Sequence, residues 1–366
     1  MRVGEASSLG TGYLTLFPGR TSSLIEAMER IGYKSLGRGN MHELGLGTTN
    51  VNPHTGTPVN PAAPGRIPGG SSGGSAAAVS MGAADLGLGT DAAGSIRVPA
   101  AFTGVYGFKP SSRIVSREGF YTFMPSLEVP GFLAKSPMHL LLPLWLSGLI
   151  SLEDILSIVS SAGSRVFMVY DWATGRVEEE VGEGFYKVID LVEARIGDWI
   201  NVVLVRDTSG GWFREAERLR ALIALHEAYV NASWVYEKYR DLMGDDVRRI
   251  IELGSRIPPG IYREALDVLR TSRRIARAAL SADLILLPTV PIDAPRVEEA
   301  TPELSASSTL TWLTGPWNLV DLPAASLPVS RVRLPSGIPY PLQLAAPHGD
   351  EWLLAYSIIL DRVLNR

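Results

Sequence analysis

Hydrophobic and polar positions alternate along this chain at two spacings. Leu24, Met28 and Ile31 fall on one helical face, and Ser23 with Glu26 fits a capping box, so the spacing predicts a short helix over 21–31. Residues 74–84 are nearly all Ala, Ser, Gly and Val at helical length. A helix that smooth lets other backbone approach closely, which predicts a central position. Residues 214–239 and 263–279 read as charged amphipathic helices, and 351–363 as a terminal helix. Shorter apolar runs predict strands over 85–90, 105–109, 201–205 and 341–345. The run 283–287 is continuously apolar after Asp283 and is ended by Pro288, which predicts a strand buried on both faces.

Between these elements the pattern changes character. Residues 40–66 are rich in Gly, Pro, Asn and Thr, and Asn52-Pro53, Asn60-Pro61 and Pro64-Gly65 mark turns in a long ordered loop. Residues 136–201 are mixed and hold no site-like cluster. No repeat, low-complexity tail or linker interrupts the chain. Strands and helices intermixed from end to end predict one α/β domain.

Composition narrows the function classes. The 366 residues, 46% hydrophobic and 20% charged, suit a globular protein with a large core. A net charge of −4 supplies no field for nucleic acid or an anionic membrane. The absence of cysteine excludes disulfides, thiolate catalysis and Cys-ligated zinc. The most apolar segment, 140–150, contains Pro143 and Gly148 and falls short of the ~20 residues of a membrane span, so it is expected to be buried. Residues 1–8 show no secretory pattern, and a cytoplasmic location is the expectation.

The candidate chemistry lies in two glycine-rich turns. Ser71 sits in Gly69-Gly70-Ser71-Ser72-Gly73 and Ser95 in Asp91-Ala92-Ala93-Gly94-Ser95, 24 residues apart. The first turn formally matches the nucleophile elbow G-x-S-x-G. That motif needs a buried strand before the serine, and a lead-in containing Pro64, Gly65 and Pro68 cannot be one. A flexible Gly/Ser linker is the plainer alternative for this run alone. Ser95 has better surroundings, because a predicted strand opens into small residues whose N–H groups can converge on one point, as an oxyanion hole requires. Asp91 and Arg97 flank that turn with opposite charges, placed to clamp it; a purely structural or anion-binding turn is the alternative. The five histidines, His42, His54, His139, His226 and His348, lack metal-ligand spacing. His42-Glu43 begins like H-E-x-x-H but meets Leu46 at the partner position. No metal or cofactor is expected, and 87–92 misses the third glycine of a dinucleotide loop. A Ser-His-Asp triad assembled in space stays open.

These turns, with Gly37-Arg38-Gly39-Asn40-Met41-His42-Glu43, Asn52-Pro53-His54-Thr55-Gly56-Thr57-Pro58 and Gly104-Val105-Tyr106-Gly107-Phe108-Lys109-Pro110, resemble the amidase-signature family of serine hydrolases. Weaker matches follow at 283–295, 318–328 and 338–347. The resemblance implies a single α/β domain over 1–366, with a large mixed sheet covered by helices on both sides. Its signature core would be 37–110, its variable middle 136–282 and its C-terminal part 283–366. It implies amide hydrolysis through an acyl-enzyme. Carried over by position, Ser95 is the nucleophile and Ser71 the bridging serine, after a cis peptide bond from Gly70. The N–H groups of Ala92, Ala93, Gly94 and Ser95 form the oxyanion hole, and Ser72, Asp91, Arg97 and Met41 support it. Ala93 stands where many members have glycine.

The family's final proton acceptor is a buried neutral lysine, and its matched position falls a few residues before Met1. Lys34 aligns beside the Asn-Met motif, Lys109 and Lys135 match other positions, and Arg2 stays protonated. Three expectations follow: an N-terminal extension carrying the lysine, a shortened non-catalytic homologue, or a substitute base such as His42 or Lys34. The substrate class is a small-molecule amide. The alternatives are the glutamine-hydrolysing component of a tRNA-dependent amidotransferase with companion subunits, or an inactive binding or assembly protein. A homodimer is the other expected assembly. Phe120, Tyr121, Phe123, Phe132, Trp312 and Trp317 are the residues expected either to line an apolar pocket or to pack as core.

Overall fold

Alternation within the apolar strands decides how the sheet is covered. The computed structural model describes residues 1–161, 165–171, 176–198, 200–206, 211–280 and 282–366. The elements run α1 (Ser23–Arg30), α2 (Gly73–Ser80), β1 (Leu86–Asp91), α3 (Arg97–Thr103), β2 (Tyr106–Lys109), β3 (Val129–Ala134), α4 (Pro137–Leu146), α5 (Leu152–Ser160), β4 (Arg165–Asp171) and α6 (Glu179–Ile196). They continue with β5 (Ile200–Arg206), α7 (Gly211–Tyr239), α8 (Asp245–Ser255), α9 (Pro259–Ala279), β6 (Leu284–Pro288), α10 (Pro302–Ala306), α11 (Gly315–Leu319), β7 (Ala324–Arg333), β8 (Pro339–Ala345) and α12 (Asp350–Asn365). Eight strands form one mixed sheet in the order β1-β3-β2-β7-β8-β6-β4-β5. The β6–β4 and β4–β5 pairs are parallel and the others antiparallel.

On β6, Leu284 and Leu286 enter the large cluster that includes Leu353 and Leu360 of α12 and Val188 of α6. Ile285 and Leu287 face the other way, against Phe213, Leu313 and Trp317. Helices therefore cover both faces, as expected for a strand buried on both sides.

The predicted strands at 85–90, 105–109, 201–205, 283–287 and 341–345 are β1, β2, β5, β6 and β8, each within a few residues. Three strands escaped the pattern. β3 carries Pro130 and Gly131, β7 carries Pro328 and a low-propensity Ala-Ala-Ser start, and β4 lies in the mixed region. The cap of α1 also differs from expectation. Ser22 is the N-cap and accepts from the Ile25 N–H, while the Ser23 hydroxyl is buried without a partner among the described residues. The small-residue helix stops at Ser80 rather than 84, where Gly82 turns the chain at φ +82°.

Segment 140–150 is only partly buried. Leu140, Leu141, Leu144 and Ile150 pack inward, whereas Leu142, Trp145 and Leu146 are exposed. Among the described residues no helix is long and apolar enough to cross a membrane.

Close approach between α3 and the sheet depends on Gly107 in β2. A Cβ there would lie 2.6 Å from the Ala100 Cβ. Gly107→Val is expected to destabilise the protein by about 1–3 kcal/mol through overpacking, read as a lowered urea midpoint with an unchanged m-value.

Candidate active site

The second serine turn is built on the C-terminal end of β1. Asp91, fully buried, turns its carboxylate onto the start of α3: Oδ2 accepts the N–H groups of Ile96 (3.2 Å) and Arg97 (3.4 Å). Arg97, also fully buried, returns two charge-assisted bonds, Nε to Oδ2 at 3.0 Å and Nη2 to Oδ1 at 2.9 Å. The guanidinium's other N–H groups go to the Thr314 carbonyl and the Gln343 Oε1, both at 2.8 Å, and to the Asn318 Oδ1 at 2.6 Å. Asn318 in turn donates to the carbonyl and the carboxylate of Asp91. Burial alone would raise the Asp91 pKa. The charge and hydrogen bonds of Arg97, with Lys109 and Asn318, overcome that and hold it below the usual carboxylate value.

Clamped this way, the turn holds Gly94 in an unusual conformation. Gly94 has φ +147°, a region that side chains rarely adopt, and a Cβ on it would lie 2.4 Å from the Thr314 Oγ1. That hydroxyl donates to the Ala93 carbonyl. With the carbonyl held away, the N–H groups of Ala93, Gly94 and Ser95 donate to no protein acceptor among the described residues. Ser95 is half-buried at their centre.

The first serine turn is joined directly to this one. The Gly70–Ser71 peptide is cis. Its neighbours are fixed by backbone bonds: Gly70 N–H to the Thr48 carbonyl, His42 N–H to the Ser71 carbonyl, and Ser72 N–H to the Ser95 carbonyl at 3.1 Å. Ser71 is buried, and its Oγ and the Met41 Cε both lie within 4 Å of the position a Cβ on Gly45 would take. The Ser72 hydroxyl sits over Gly89 of β1, 2.4 Å from its Cβ position. Gly74, the second residue of α2, lets the helix press onto Asn40, whose carbonyl accepts the Gly74 N–H. The structure thus brings Ser71, Ser72, Met41, Asp91, Arg97 and residues 92–95 into one region.

The substitute bases considered from the sequence do not join them. The His42 Nδ1 accepts the Asn50 N–H, which puts the ring proton on Nε2, and Nε2 donates to the Asp246 Oδ2 at 2.8 Å. Burial raises the Asp246 pKa, but the hydrogen bonds it accepts from His42, from Ser305 and from the Val247 N–H outweigh it and bring it below its ordinary value. Lys34 is exposed. Among the described residues, no histidine ring and none of the five lysine side chains is hydrogen-bonded to the hydroxyl of Ser71 or Ser95. Lys109 is fully buried, donates to the Pro110 carbonyl, and has its pKa lowered to about 8 by burial and the nearby Arg97 charge.

The six aromatic residues divide among three packing clusters instead of lining one pocket. Phe120 and Phe132 join the core under α12, Tyr121 and Phe123 the cluster at α8, and Trp312 and Trp317 the cluster behind β6. A cleft of about 650 Å³ between the start of α7 and α9, lined by Trp212, Thr271, Ile275 and Val320, holds neither serine. Thr314, Asn318 and Gln343 were not singled out from the sequence, although the last two lie in segments that matched. Their signal was a polar side chain within an otherwise apolar run.

A family model described as Amidase matches residues 4–140 and 203–354. Over 339 residues the chain is 35% identical to the glutamyl-tRNA(Gln) amidotransferase A subunit of Methanothermobacter thermautotrophicus, covering 88% of this chain and 73% of that protein. A crystal structure of an amidase superposes with TM-score 0.85 at 28% identity, over 99% of this chain and 82% of that one. The glutamyl-tRNA(Gln) amidotransferase A subunit of Thermotoga maritima superposes with TM-score 0.78 at 26% identity, over 97% and 79%.

Arg97→Met is expected to cost about 3–5 kcal/mol, because it leaves the Asp91 carboxylate buried and uncompensated. The pH dependence carries a sign. A depressed folded pKa gives stability that is present above the unfolded value, about 3.9, and lost as pH falls through the folded one. Without Arg97 the Asp91 pKa rises, so the acid loss of stability should move to higher pH in urea titrations from pH 7 to 3.

Proposed function

The chain belongs to the amidase family, whose members act on carbon–nitrogen bonds, and on that premise we propose that it cleaves a carboxylic amide through an acyl-enzyme on Ser95. The observation that carries this reading is the pairing of the two turns. The Ser72 N–H to Ser95 carbonyl bond locks them together, and three N–H groups beside Ser95 are left without a protein acceptor among the described residues. Ser95 Oγ attacks the amide carbon, and its proton passes to Ser71 Oγ. The N–H groups of Ala93, Gly94 and Ser95, with Ala92 leading into the turn, receive the negative charge that develops on the amide oxygen. Ser71 gives up its own proton toward the departing nitrogen as the C–N bond breaks. Water then attacks the ester, the acid leaves, and Ser95 recovers its proton by the reverse relay. The nucleophile is activated by position and proton relay, and Asp91 and Arg97 act only by holding the turn.

Within this chemistry, the reading as the A subunit of an amidotransferase is better supported than that of a free-standing amidase. The curated relatives that span most of the chain carry that name. On this reading the amide is glutamine, ammonia is the product passed on, and companion subunits complete the assembly. Purification from the native source should then yield a stable companion chain whose presence raises ammonia release from glutamine. Turnover that is independent of any companion would favour the free amidase.

The nucleophile is tested by intact mass after exposure to an uncharged fluorophosphonate. One adduct on Ser95 is expected in the unaltered protein and none in Ser95→Ala. Ser71→Ala should label about 10²–10⁴-fold more slowly, the usual size of a lost proton-transfer group. An adduct that persists in Ser95→Ala would overturn the assignment.

A further inference from the structure

Helix α4 is apolar on two opposite faces. Leu140, Leu141 and Leu144 pack inward, in the cluster that includes Leu353 and Leu360 of α12. Met138, Leu142, Trp145 and Leu146 recur at i, i+4, i+7 and i+8, which is one helical stripe. That stripe points to solvent: its four residues are 56%, 48%, 41% and 48% exposed. Leu156 and Val159, on α5, are exposed as well. From Ser136 to Leu152 the sequence carries no Asp, Glu, Lys or Arg. A helix that is apolar all round belongs inside, so the outward face of α4 lacks the cover that its composition calls for.

The stripe leaves roughly 400 Å² of apolar side chain in water, as much as the largest patch on an ordinary monomer, about 300–600 Å². With Leu156 and Val159 it approaches the apolar share of the ~800 Å² that each partner gives to a stable interface. The charges at its rim decide what kind of cover fits. Lys135 is exposed just before α4, and Glu153 and Asp154 are exposed in the first turn of α5. Among the described residues none of the three is in an ion pair. The rim is therefore positive at one end of the helix and negative at the other. An anionic bilayer would be repelled by the second end, and the patch lacks the Lys/Arg-rich border of helices that lie in membranes. A second copy reverses the order of the charges. When two α4 helices pack antiparallel about a two-fold axis beside Leu142, Met138 of each meets Leu146 of the other. Lys135 of each is then carried toward the Glu153 and Asp154 end of the other, and the two helix dipoles run in opposite directions.

We propose that the outward face of α4 is a homodimer interface, on which a second copy of this chain covers Met138, Leu142, Trp145 and Leu146 with its own α4 antiparallel and Leu142 at the two-fold axis. Nothing in this depends on the chemistry of Ser95. The dimer gives the segment the burial that its sequence predicts, half of it within the chain and half between copies.

The chain holds no cysteine, so single introduced cysteines report which residues meet across copies. Full-length Leu142→Cys at micromolar concentration under a mild oxidant should cross-link to itself, because a residue on the axis faces its own copy at disulfide range, a Cα separation of about 4.4–6.8 Å. Leu242→Cys, equally exposed but beside α8, should not. Met138→Cys and Leu146→Cys should cross-link when mixed, at least tenfold more than either does alone. Sedimentation velocity of the unaltered protein should give twice the chain mass. Leu142→Glu, which sets two carboxylates against each other on the axis, should raise the dissociation constant roughly 100-fold or more while the circular dichroism stays unchanged. If that variant misfolds, the cysteine pairs decide alone. A chain that stays monomeric, a dimer that folded Leu142→Glu leaves intact, or Leu142→Cys cross-linking no better than Leu242→Cys would overturn the proposal. Cross-linking of Met138→Cys and Leu146→Cys each with itself, and not with the other, would overturn the antiparallel arrangement. A monomer that sediments with phosphatidylcholine vesicles, and no longer does so as Leu142→Glu, would assign the face to a bilayer instead.

Discussion

Arg97 is the interaction on which the rest of the site depends. An arginine side chain has five N–H donors in a fixed plane, and a protein interior rarely satisfies all of them. Here each has an acceptor: two on Asp91, and one each on Thr314, Asn318 and Gln343. A guanidinium cannot leave its charge behind by losing a proton, so it tolerates full burial only with such a complete set. The requirement works in the other direction too. The end of β1, the start of α3, the loop into α11 and the centre of β8 must all stand where the fork demands.

What that placement achieves is control over backbone direction. The turn after Asp91 makes few hydrogen bonds of its own, and a short run of small residues would sample many conformations. Two devices narrow the choice. The Asp91 carboxylate takes the N–H groups of Ile96 and Arg97, and Thr314 takes the Ala93 carbonyl. The remaining N–H groups are aimed by exclusion, because the oxygen atoms that would compete with them are tied elsewhere.

Legibility in the sequence followed the range of the interactions. Ser71, Ser95, Asp91 and Arg97 were visible because glycine-rich turns and their flanking charges are local patterns. Strands of Val, Ile and Leu were visible for the same reason. β3 was hidden by Pro130 and Gly131, residues that usually end strands, although all six of its residues are buried between β1 and β2. β7 was hidden by alanine and proline, although it lies near the middle of the sheet. The partners of Arg97 beyond Asp91 were hidden by distance, since no periodicity links it to residues more than 200 positions away. Glu217 and Arg220, a buried ion pair on α7, were legible only as part of a charged helix; nothing in their i, i+3 spacing said that this face is buried. His42 looked chemically useful in the sequence, and the structure shows both ring nitrogens already committed.

The bond from Arg97 to Gln343 spans 246 residues of chain. A ribosome delivers the serine turns early and their last acceptor much later, at roughly 5–20 residues per second. Until residues 314 and 318 are made the guanidinium lacks three of its acceptors, and until Gln343 it still lacks one, so water is the better host for it. An incomplete nascent chain therefore has a reason to keep this region open, and the Ser95 turn closes only after nearly all of its supporting sheet has been translated.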